Sequence, residues 1–262
     1  MPLKIFRFFI LIIGIALALT SITSTVNANH SWGGYHWART SNPFTLNLGD
    51  NLSSSWKPYL GTTSNDWSAS SVLDTSVSAG RTNPRNCRAS SGRVEVCNSK
   101  YGNNGWLGLA QIWISGNHIV QGLTKVNDTY FSTAKYNTSS WKNLVMCQEV
   151  GHTFGLDHQD EIFDNLNLGT CMDYTDDPSG LVKTQLSNEH PNAHDYNELE
   201  AIYSHLDGIT TVSQTKASNA SGNFDNRSDW GKEIKNNGKA ALYERDFGGG
   251  QKLFTFIIWA QE

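Results

Sequence analysis

The chain has 262 residues, 38% of them apolar and 17% charged, with nine Trp and nine Tyr. This is enough chain to bury a core, in one large globular domain or two modest ones, and the composition excludes a disordered chain, a coiled coil or a collagen. A formal charge of −4 with no basic stripe leaves nucleic-acid binding without electrostatic support.

Lys4 and Arg7 lie at the front of the single long apolar run, Phe8 to Leu19, and Val26-Asn27-Ala28 offers small residues at the −3 and −1 positions of a cleavage site. A block this short, with these flanks, reads as a secretory signal peptide over residues 1–28 and not as a stable membrane anchor. The mature chain is therefore expected to be secreted and extracellular. Phe44, Leu46 and Leu48 then alternate with polar residues, the period of a half-buried strand. Trp56, Tyr59, Leu60, Thr63 and Trp67 share one face of a helix, with Pro58 tolerated in its first turn. Short strands are expected at about Val72–Val77 and Arg93–Cys97. Leu109–Ile114 and His118–Val126 flank Ser115-Gly116-Asn117, a hairpin signal. A helix over about Ser140–Phe154 follows, then a long polar loop, then a helix over about His194–Leu206 with Leu199, Ile202, Tyr203 and Leu206 on its apolar face. Residues 213–229 read as a linker. Ala240–Tyr243 and Leu253–Trp259 around Gly248-Gly249-Gly250 predict one more hairpin.

Four cysteines in an exported chain allow three pairings. Cys87–Cys97, closing a small loop, and Cys147–Cys171, tying the central helix to a downstream turn, is the preferred set.

The chemistry concentrates in the string Gln148-Glu149-Val150-Gly151-His152-Thr153-Phe154-Gly155-Leu156-Asp157-His158. Trp141, Leu144, Val145, Gln148 and His152 follow one helical face, so Gln148 and His152 lie one turn apart, where two donors can reach one metal ion. Glu149 is rotated from Gln148 by roughly 100°, which suits a carboxylate beside the metal rather than on it. Gly155 lets the chain leave the helix with a positive φ, and His158 can return from the turn as a third ligand.

The spacing Glu-x-x-His-x-x-Gly-x-x-His resembles the metzincin zinc peptidases, whose pattern is His-Glu-x-x-His-x-x-Gly-x-x-His followed by a turn containing Met. Gly169-Thr170-Cys171-Met172-Asp173-Tyr174 resembles that turn, and the likeness, matrixin-like in its details, covers about residues 35–206. It implies an α+β fold with a twisted mixed sheet, an active-site helix and a C-terminal helix. The catalytic domain would span residues 29–212, with a linker and small β-hairpin extension over 213–262. It also implies a zinc ion held by Gln148, His152 and His158, with Glu149 as general base and then acid. Tyr174 would bind the metal or steady the tetrahedral intermediate, and the substrate would be a protein or peptide.

One departure bears on all of this: Gln148 stands where the family has its first histidine. A neutral amide oxygen is a poorer zinc donor than imidazole. Two readings follow, an active secreted zinc endopeptidase with an unusual third ligand, and an inactive metzincin-fold protein that binds a peptide or surface partner. A third is an adhesion or glycan-binding protein acting through its C-terminal hairpin. Asp157, Asp160, Glu161, Asp164, Asp173, Asp176 and Asp177 could hold calcium, as in some matrixins, but they match no defined loop and solvated loop acids are the preferred reading. His36 and His118 read as structural, His194 as a capping or packing residue, and most of the Trp residues as core.

Overall fold

The computed structural model describes residues 30–215 and 224–261; the expected signal peptide lies outside them. Among these residues no helix is long and apolar enough to cross a membrane. The chain runs β1 (His36–Trp37), β2 (Phe44–Asn51), α1 (Lys57–Trp67), β3 (Leu73–Ala79), β4 (Val94–Ser99), β5 (Trp106–Ser115), β6 (His118–Asn127), α2 (Asp128–Phe131), α3 (Ser139–His152), α4 (Ala193–Ile202), β7 (Lys232–Asn236), β8 (Ala240–Gly248) and β9 (Gln251–Trp259). The fold is mixed α+β, built on one sheet in the order β3-β2-β4-β6-β5-β9-β8-β7, with β1 beside β6. The first five strands in space are parallel apart from β5, which turns back antiparallel through the expected hairpin at Gly116.

The C-terminal hairpin is present, and it does not stand alone. β9 pairs antiparallel with β5 from Trp106↔Trp259 to Ser115↔Gln251, so β7, β8 and β9 continue the main sheet. β5 is buried on both faces. Ala110, Ile112 and Ile114 face the principal core under α1 and α3, while Leu109 and Trp113 face a second cluster completed by Trp230, Tyr243, Leu253 and Ile257. The strand reads as a continuous apolar run because no face of it meets water. Trp37, Trp56, Trp67 and Trp106 are all fully buried, as their apolar settings predict.

α3 ends at His152, two residues before the expected Phe154, because the chain turns toward Gly155 with φ +98°. α4 ends at Ile202 instead of Leu206. The carbonyl of its C-cap residue is taken up elsewhere: Arg39 and Asn42 side chains both donate to Tyr203 O, at 2.8 and 2.9 Å. Three short elements have no sequence pattern behind them, namely β1, α2 and the wholly exposed β7. Both disulfides are the preferred ones, Cys87–Cys97 and Cys147–Cys171.

Candidate metal centre

α3 carries three of the candidate residues into the core. The Thr138 side chain caps it by accepting from Trp141 N–H, and Trp67 of α1 anchors it by donating Nε1–H to Cys147 O at 3.2 Å. Its last turn needs Gly151: a Cβ there would lie 2.7 Å from Met172 Sδ and 2.8 Å from the Trp67 ring. Met172 is thus packed directly against α3, and Cys147–Cys171 clamps the two segments together. At Gly155 a Cβ would sit 2.2 Å from Tyr35 O, so only glycine permits the turn that returns His158 to His152.

The two histidines meet through their Nε2 atoms, 3.0 Å apart. His152 Nδ1 lies 2.9 Å from Leu156 O. A carbonyl only accepts, so Nδ1 holds the proton and Nε2 presents a lone pair. His158 Nδ1 faces Glu161 Oε1 at 3.3 Å and Asp157 Oδ1 at 3.4 Å, which likewise directs its Nε2 lone pair inward. Two inward lone pairs at this separation require a cation between them, a proton or a metal ion. Burial, and then the charge of His158, lower the His152 pKa to about 3. Burial also works against charge on His158, but Asp157 and Glu161 outweigh it and raise that pKa.

Gln148 donates Nε2–H to Cys171 O at 2.9 Å, while its Oε1 is buried without a partner. Glu149 Oε2 and Tyr174 Oη are buried and unpartnered in the same way. The Tyr174 ring lies 4.3 Å from the His158 ring. Burial raises Glu149 well above an ordinary carboxylic acid; it also raises Tyr174, where the Glu149 charge adds to it. His158 is therefore in contact with both His152 and Tyr174, with Gln148 and Glu149 on α3 beside His152.

β9 covers this group. The Phe256 ring stacks on His152 with centroids 4.3 Å apart and planes 9° from parallel. Below it, Lys235 Nζ pairs with Glu161 Oε2 at 2.6 Å and Lys239 sits 4.7 Å over the Phe163 ring, fastening the hairpin region across the loop. Gln148, Glu149 and His152 are each 1% exposed. The crevice that remains between His158, Glu161, Lys235, Leu242 and Phe256 has a volume of about 10 Å³, room for one water.

The spacing of the motif did not point to Phe256 or Gly108. A Cβ on Gly108 would meet Glu149 Oε1 at 2.7 Å, so this strand glycine gives the carboxylate its space. A glycine inside an apolar strand was the available signal; for Phe256, far along the chain, there was none.

The loop acids suggested for calcium mostly cap their own turns. Asp160 accepts from Ile162 N–H, Asp173 from Leu168 N–H and Asn188, and Asp177 from Lys183 N–H. Among the described residues no three carboxylates converge; the one cluster drawn from this loop, Asp157, His158 and Glu161, is the support of His158 itself. His194 stacks on His30 at 4.8 Å, a packing role.

No family model and no curated protein matches the chain. Among solved structures it is similar to myroilysin, with 11% identity and a TM-score of 0.37 over 68% of this chain and 99% of that one. It is also similar to high choriolytic enzyme 1, a hatching-enzyme zinc-protease of the medaka Oryzias latipes, with 11% identity and a TM-score of 0.36 over the same shares. Likeness of this size decides neither fold nor chemistry, which rest on the residues themselves.

Proposed function

We propose that this chain is a secreted, metzincin-like zinc peptidase whose C-terminal hairpin lies over its active site. The observation that carries the reading is the pair of inward Nε2 lone pairs beside three buried, unpartnered oxygens, on Gln148, Glu149 and Tyr174. Buried polar atoms are almost always partnered, and this donor set fits zinc: tetrahedral Zn–N bonds near 2.05 Å place two imidazole nitrogens about 3.3 Å apart, against 3.0 Å here.

When bound, zinc would acidify a water and polarise the scissile carbonyl. His152 and His158 hold the ion, with their outer nitrogens fixed by Leu156 O and by the Asp157 and Glu161 carboxylates. Cys171 O restrains the Gln148 amide so that Oε1 is the third donor. Glu149, its proton affinity raised by burial, takes a proton from the attacking water and passes it to the leaving amine nitrogen. Tyr174 Oη–H donates to the oxygen on which charge develops. A peptide reaches these groups once Phe256 moves off His152.

The cover over His152 favours a second reading, a zinc-binding protein without hydrolytic activity. Zinc content and casein cleavage, measured on the wild type and on Glu149→Ala, separate the two. The peptidase reading expects Glu149→Ala to keep its metal and lose cleavage. A wild type that holds zinc and cleaves nothing, even after Lys235→Glu loosens the hairpin, would establish the second.

A further inference from the structure

Away from this centre, His36, His118 and His205 converge on one oxygen. His36 Nε2 lies 3.4 Å from Asp207 Oδ1, His118 Nε2 3.2 Å and His205 Nε2 3.7 Å, while the Nε2 atoms of His36 and His205 are 3.3 Å apart. The elements make this meeting: His36 of β1 and His118 of β6 are register partners across a parallel pair, and the segment after α4 brings His205 and Asp207 against them.

The distances are longer than the usual 2.7–2.9 Å of charged hydrogen bonds. A histidine–carboxylate pair elsewhere in the chain, His190 Nδ1 to Asp66 Oδ2, closes to 2.7 Å. They do match the edge of a tetrahedron of ligands around zinc, about 3.3 Å for bonds of 2.0–2.1 Å. The proton positions agree. His36 Nδ1 lies 2.9 Å from Gly34 O, so it holds the ring proton and turns the Nε2 lone pair toward Asp207. Arg39 occupies the other carboxylate oxygen, donating Nη1–H at 2.9 Å and its backbone N–H at 3.2 Å to Oδ2, and so leaves Oδ1 to the histidines. This is the outer support that oriented metal ligands have.

We propose that His36, His205 and Asp207 form a second divalent-metal site, of a kind suited to zinc, with His118 flanking the fourth position. Imidazole and carboxylate donors suit such an ion. Its effect is to pin β1 and the segment after α4 to the β5–β6 hairpin. His36 is buried, while His205 and His118 retain side-chain exposure of 55% and 29%, giving the ion a route in from solvent.

The test is zinc stoichiometry of the full chain after dialysis, in the wild type, in His118→Ala/His205→Ala, and in His152→Ala/His158→Ala. Circular dichroism confirms folding, which replacement of the half-buried His118 and the exposed His205 should preserve. The expected result is two equivalents in the wild type and the loss of one in His118→Ala/His205→Ala. Cobalt loaded into His152→Ala/His158→Ala should show the visible bands of a tetrahedral ion. A chelator should also lower the melting midpoint of the wild type more than that of His118→Ala/His205→Ala. If the other centre binds no zinc, the wild type holds one equivalent, and His118→Ala/His205→Ala still removes it. Equal metal content in the wild type and a folded His118→Ala/His205→Ala would overturn the proposal, with the cluster holding protons only.

Discussion

Removing residues 213–262 takes β9 away from β5. The hairpin's own burial and the entropy of ordering it roughly offset one another, so the cost is set by the surface it uncovers. Trp106, Leu109, Trp113 and Leu123 are each at most 4% exposed, in the cluster that Trp230, Tyr243, Leu253 and Ile257 complete. At about 1.5–3 kcal/mol for each large apolar side chain, exposing four costs about 6–12 kcal/mol. That is the size of a domain's whole net stability, about 5–15 kcal/mol. The same cut leaves the edge of β5 bare, a template for aggregation. Residues 29–212 expressed alone should therefore lack near-UV ellipticity and a cooperative urea transition. A soluble, monomeric 29–212 chain that unfolds cooperatively near the midpoint of the full protein would refute this reasoning and make residues 213–262 a separable appendage.

Gln148→His should tighten zinc binding, because imidazole replaces a weaker neutral oxygen, and Gln148→Ala should lose zinc on dialysis; unchanged metal content in Gln148→Ala would remove Gln148 from the ligand set. Replacing Cys147 and Cys171 with Ser opens a loop spanning a sequence separation of 24 and should cost about 3.5 kcal/mol by loop entropy, read as a lower urea midpoint. Burial raises Asp195 to about 6 despite hydrogen bonds from Thr170 and Asn192. An acid with a raised folded pKa favours folding while protonated. Its contribution is full below the unfolded value near 4 and is lost as pH rises through about 6, to the extent of about 3 kcal/mol. Asp195→Asn should flatten the pH dependence of stability in that window; an unaltered profile would count against it.

α3 and its return loop were legible because their signals are local. Gln148, His152, Gly155 and His158 fix one another through helical spacing and a single turn that only glycine permits. The role of Gln148 was less so: spacing gives its place, but the carbonyl of Cys171 sets which end of its amide is free. The end of α4 was misjudged because Tyr203 continues the apolar stripe, while Arg39 and Asn42, remote in sequence, claim its carbonyl. The cover on the site was invisible for the same reason, since no periodicity links Phe256 to His152. His36 and His118 gave no pattern at all, because their meeting depends on a two-residue strand and its register.

The position of β9 in the sheet also orders events in time. α3, the glycine turn and Met172 all lie before residue 175, and β5 and β6 form a local hairpin. The strand that covers them pairs Ser115 with Gln251 and Trp106 with Trp259, contacts that must wait for a long loop to close. During that interval the histidines are open to solvent. On the proposed zinc reading, a chain refolded under chelation would close its last strand over empty ligands, and zinc added afterwards would enter only as fast as Phe256 leaves His152.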